Sequence, residues 1–138
     1  MTSVSRAAAM RGASIITGIN VLVASGFSLA GLVSPQSVLP GADAPSHASQ
    51  IFALYAAART IPLALFVLVA IYRRSARALL VLGALAGVVQ LLDAGIGVFQ
   101  GDVGKTIGPL AIAALQFISV FFLARAIDAE APERARGP

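Results

Sequence analysis

The sequence predicts an all-α fold, an integral membrane four-helix antiparallel bundle, and two observations carry that reading. The first is composition: 58% of the 138 residues are hydrophobic, only 12% are charged, and the mean hydropathy is +0.89. Soluble domains carry roughly 25% charged residues. The second is patterning. Four apolar stretches stand at about 13–34, 48–72, 76–99 and 105–126. Each meets the roughly 20 residues that a helix rising ~1.5 Å per residue needs to cross ~30 Å of hydrocarbon. A backbone in lipid must satisfy its own hydrogen bonds, so these stretches are helices rather than open strands. The length suits one bundle over residues 13–126, with a cytoplasmic N-terminal segment 1–12 and a cytoplasmic polar tail 127–138.

Arg6 and Arg11 precede the first stretch as they would a signal peptide, but Ile15 to Val33 is longer than a signal core, so it reads as a retained helix. The connection Ser34–Ser49 then holds Pro35, Pro40, Gly41, Pro45 and His47. Proline there predicts non-helical chain, either a cap over one mouth of the bundle or a simple linker. The second stretch contains Tyr55, Arg59 and Pro62; a proline within a helix removes one backbone hydrogen bond and favours a kink beside Arg59. Arg73, Arg74 and Arg77 separate it from the third stretch, which carries Gly83, Gly87, Gln90 and Asp93. The fourth opens with Gly104 and Gly108 and carries Gln116. Both glycine pairs have the G-x-x-x-G spacing that lets a neighbouring helix approach, within the chain or across a dimer. The short connections after the second and third stretches predict that these helices pack as antiparallel neighbours. The tail, with Glu130, Pro132, Glu133 and Gly137, reads as frayed.

The arginines set the expected orientation. Arg6, Arg11, Arg73, Arg74, Arg77, Arg125, Arg134 and Arg136 all fall at one end of the four-span arrangement, while Asp43, Asp102 and Lys105 fall at the other. The positive-inside rule then places both termini in the cytoplasm of a multi-pass protein of the bacterial inner membrane. The same distribution explains the net charge of +4 without nucleic acid, since no basic helix face or aromatic platform lies outside the apolar stretches. With no cysteine and one histidine, neither a Cys-ligated metal nor a multi-histidine metal or haem centre is expected, and no cofactor is assigned.

Arg59 and Asp93 are the chemically informative residues, because an ionisable group at membrane depth costs several kcal/mol and marks a task or a partner. Arg59 is expected ~16 Å below the outer end of its helix and Asp93 ~10 Å below the outer end of the next. Helical side chains lean toward the N-terminus, so Arg59 reaches toward the level of Asp93, and an ion pair is expected. Gln90, Tyr55 and Gln116 are expected as lesser members of one outward-facing polar site, with Asn20 nearer the cytoplasm.

A first apolar helix, a proline-containing outer loop, an arginine early in the second helix (Ala57-Ala58-Arg59) and an aspartate late in the third (Leu91-Leu92-Asp93) form a layout. It resembles the small four-helix bacterial membrane proteins loosely grouped as DoxX-like, over about residues 13–126. The resemblance implies a plasma-membrane bundle in which the arginine and aspartate belong to one site, and it implies no particular activity.

Three functional classes follow. In the first, Arg59 receives a lipophilic or anionic small molecule in an outward-facing cavity, a task suited to its fixed charge and planar fork of donors. In the second, Asp93 is the general acid/base and Arg59 the electrostatic stabiliser of a membrane-embedded isomerase, cyclase or epoxide-opening enzyme. In the third, the pair is a structural clamp in an accessory subunit. The expected partners are the lipid bilayer, a lipophilic small molecule, and either a second copy of the chain or a larger membrane protein.

Overall fold

The computed structural model describes residues 5–34 and 46–135. They form four helices: α1 (Arg6–Val33), α2 (His47–Tyr72), α3 (Ala76–Phe99) and α4 (Val103–Ala135). All four are long and apolar enough to cross a membrane. One end of the bundle, the terminal end, carries the start of α1, the α2–α3 turn and the end of α4. The other, the distal end, carries the α3–α4 turn.

The ends of the helices have local causes. Ser5 caps α1, its hydroxyl accepting from the Ala8 N–H at 3.3 Å, so the helix starts well before the apolar stretch. Ser46 does the same for α2, accepting from the Ser49 N–H at 3.1 Å, and His47 becomes the first helical residue. The α2 helix runs unbroken through Pro62. Its C-terminus is closed by two reversed bonds, Arg74 N–H to the Ile71 carbonyl at 3.0 Å and Ser75 N–H to the Ala70 carbonyl at 2.9 Å. Such a closure needs a left-handed residue, and Arg74 supplies it at φ 50° where glycine is the usual choice. The end of α3 is closed the same way around Gly101 (φ 67°), with Gly101 N–H bonded to Val98 and Asp102 N–H to Gly97.

The sequence suggests fraying after Ile127, whereas α4 continues to Ala135. Alanine at 126, 129, 131 and 135 with glutamate at 130 and 133 gives strong helix propensity there. The proline-containing connection falls at 35–45, outside the described residues, and so does the cap assigned to it.

The packing is inside-out relative to a water-soluble bundle. The core is built from small residues, among them Ala9, Ala13, Ala64, Ala76, Ala86 and Ala113, with Val67, Leu79 and Leu123. The large side chains point outward, and Phe99 is 92% exposed. No hydrophobic force joins helices in lipid, so close approach of small residues does that work, and large apolar groups belong on the outside. An apolar exterior of this extent suits a lipid bilayer environment. The helices form a ring in which α3 and α4 share the largest contact, α1 touches all three others, and α2 and α4 do not meet among the described residues.

Candidate functional site

Among the described residues five polar ones are buried in the bundle: Thr17, Asn20, Gln90, Gln116 and Ser119. Four of them join three helices. Gln116 of α4 accepts from Asn20 Nδ2 of α1 at 3.2 Å and donates to Thr17 Oγ1 at 2.7 Å. Gln90 Nε2 of α3 donates to Asn20 Oδ1. Ser119 closes locally on the Gln116 carbonyl at 2.8 Å. The glycines explain how these long side chains fit. A Cβ at Gly83 would stand 2.9 Å from Gln116 Nε2 and 3.0 Å from Val120, and one at Gly87 would stand 3.0 Å from the Phe117 ring. The Gly83–Gly87 pair therefore serves packing of α3 on α4 within one chain. A Cβ at Gly108, by contrast, would meet nothing.

Gln90 and Gln116 are interior members of an amide network that joins three helices. Asn20 is central to that network, and Thr17, absent from the sequence reading, completes it. Arg59 and Asp93 behave differently. Both are exposed on the protein surface, and no ion pair or hydrogen bond joins them to each other or to another described residue. The contact expected from their depths is absent. The reason lies in the lean of α2, whose packing favours α1 over α3. Thr60, next to Arg59, receives the Ser28 hydroxyl of α1 at 3.1 Å, while its own hydroxyl donates to the Ala56 carbonyl at 2.7 Å. Ile71 packs against Gly18 nearer the terminal end, where a Cβ would meet its Cδ1 at 3.5 Å.

Both charged residues stand on faces that are covered toward the terminal end and open distally. Arg59 lies one turn distal of Leu63, which packs on the core. Asp93 lies two turns distal of Ala86, a core residue clustered with Ala64 and Val67. From Ser46 to Ala56 almost every residue of α2 is exposed, including Tyr55 at 58%. One further polar atom belongs to this half. Ser25 Oγ, one turn distal of buried Val21, is buried without a hydrogen-bond partner. A serine in an apolar run is a weak sequence signal, because its hydroxyl normally closes on its own helix.

Among the described residues no group of three or more His, Cys, Asp or Glu side chains is placed to hold a metal ion. Comparison of the chain with protein-family models, curated proteins and solved structures yields no match.

Proposed function

We propose that the protein binds or transfers a lipophilic small molecule bearing an anionic or carbonyl group, in a polar cleft that opens at the distal end. The observation that supports this most is the pair Arg59 and Asp93, ionisable residues within apolar spans that have no ion-pair partner among the described residues. Such residues are expensive in lipid and are retained where water, a ligand or a partner meets them. Arg59 supplies a permanent cation with a planar fork of donors, and Asp93 an acceptor that orients the guest. The unpartnered Ser25 hydroxyl adds a donor in the same half. The Thr17–Asn20–Gln90–Gln116 network holds α1, α3 and α4 together, and α2 is joined to α1 through Ser28 and Thr60. With the arginine-rich terminal end in the cytoplasm, as the positive-inside rule favours, the cleft faces outward from a bacterial inner membrane.

A second reading rests on exposure. Arg59 shares a stripe of α2 with Tyr55, Pro62 and Phe66, all exposed, and a membrane partner seated there would give the guanidinium its counter-charge.

Native mass spectrometry of the gently purified chain beside Arg59→Gln and Asp93→Asn tests the two. A co-purifying small molecule lost in both variants, with unchanged thermal stability, is the expected result. Retention of the same molecule in both variants overturns the assignment. Loss of a co-purifying protein instead favours the partner.

A further inference from the structure

At the terminal end, away from Arg59 and Asp93, α1 and the end of α2 flank an open groove of about 830 Å³. Arg6, Arg11 and Arg74 line it together with Ser14, and its apolar walls are Met10, Ile15 and Ile71. We propose that this groove is a binding site for the phosphate headgroup of an anionic glycerophospholipid, whose acyl chains leave along Ile15 and Ile71.

The chemistry is specific at both ends. Guanidinium groups offer phosphate two parallel N–H donors, which an ammonium point charge does not, and the Ser14 hydroxyl adds another donor. The groove is open to its surroundings and far larger than a lone phosphate needs, which leaves room for the rest of a headgroup. Its character also changes along the helix. Arg6 lies nine residues, or ~13 Å, from Ile15 along α1, so charge gives way to apolar surface in the order that a headgroup gives way to its chains. Basic pockets between membrane helices at the bilayer surface suit such headgroups.

Arg74 carries an independent indication. It occupies the left-handed position of the α2 closure (φ 50°), a backbone conformation that glycine adopts without strain and a long side chain does not. Arg73 and Arg77, in the same turn region and exposed as Arg11 and Arg74 are, do not line the groove. A merely topological charge needs neither the strained position nor the groove, and Arg73 and Arg77 supply it already.

This contrast makes the test. The full chain in a neutral detergent is titrated with dioleoylphosphatidylglycerol or dioleoylphosphatidylcholine and bound lipid is counted by native mass spectrometry. Wild type prefers the anionic lipid. Arg11→Gln and Arg74→Gly each weaken its binding about fivefold, leave the zwitterionic lipid unaffected, and keep the helical content of wild type. Arg73→Gln and Arg77→Gln leave the preference unchanged. Because Arg74→Gly relieves the backbone, its loss of lipid does not come from unfolding. Equal retention of the two lipids by wild type, or equal weakening in all four variants, overturns the site in favour of diffuse surface charge. Displacement of the anionic lipid by millimolar inorganic phosphate, with the same dependence on Arg11 and Arg74, overturns the lipid assignment and gives the groove to a soluble phosphate compound.

Discussion

Gln116 is wholly buried and touches both α1 and α3: its carbonyl oxygen holds Asn20, its amide nitrogen holds Thr17, and the side chain fills the space left open by Gly83. Interhelical hydrogen bonds in membranes average only ~0.6 kcal/mol, because the partners find alternatives when separated. Here, however, removing one amide leaves two buried polar groups without it, and an unsatisfied buried group costs ~1–3 kcal/mol. Gln116→Leu is therefore expected to destabilise the bundle by ~1–3 kcal/mol, measured by denaturation in mixed micelles. A Gln116→Leu protein as stable as wild type would show that the network is incidental. Arg59 belongs to the opposite class. It makes no hydrogen bond or ion pair among the described residues, so replacing it is expected to change what the protein binds rather than whether it folds.

At the scale of elements, the α3–α4 junction is the most constrained connection. A Cβ at Gly97 would stand 2.5 Å from the backbone carbonyl of Lys105, so the two helices approach there main chain to main chain. Pro109 is part of the cause. It has no N–H to offer the Lys105 carbonyl four residues earlier, which leaves that carbonyl turned against α3. Asp102 then caps α4, its Oδ1 accepting from the Lys105 N–H at 3.0 Å and its Oδ2 standing 3.4 Å from Lys105 Nζ. The backbone hydrogen bond from Lys105 is the main reason that the Asp102 carboxyl is held below its ordinary value of 3.8. A carboxylate depressed in the folded state contributes stability above that ordinary value and loses it as pH falls through the folded value. Helical content at 222 nm followed from pH 6 to 2 is thus expected to show an acid-side loss in wild type below about 3.8. Asp102→Asn caps without titrating and is expected to lack this step. The same acid loss in both proteins would assign it elsewhere.

For the whole molecule, the inside-out distribution decides the environment. A core of alanine, glycine and amides under a shell of phenylalanine, leucine and isoleucine is stable where the surroundings are as apolar as the shell. Four antiparallel helices put the Arg73 turn and the Gln100 turn at opposite ends. The chain contains no cysteine, so single replacements Arg73→Cys and Gln100→Cys report the two ends without background. With cells intact, a membrane-impermeant maleimide is expected to label Gln100→Cys and to spare Arg73→Cys until the membrane is opened. The reverse pattern would invert the orientation, and with it the side of the membrane nearer to Arg59 and Asp93.

The sequence by itself determined the helices, because each span is a local matter of apolar length and backbone self-satisfaction: 48–72 and 76–99 are expected and His47–Tyr72 and Ala76–Phe99 are observed. It also made Arg59 and Asp93 conspicuous, since a charge in an apolar run needs no neighbours to be noticed. Their relationship, and that of the amides, was settled only by tertiary structure. Spacing puts Gln90 on the same face of α3 as Asp93 within about a turn, yet the first is buried against Asn20 and the second is exposed. Depth along a helix follows from counting residues, whereas the direction a flank faces depends on how α2 leans on α1 through Thr60 and Ser28. The arginine groove has the same origin. Arg11 and Arg74 lie far apart in the chain and line one cavity because the start of α1 meets the end of α2.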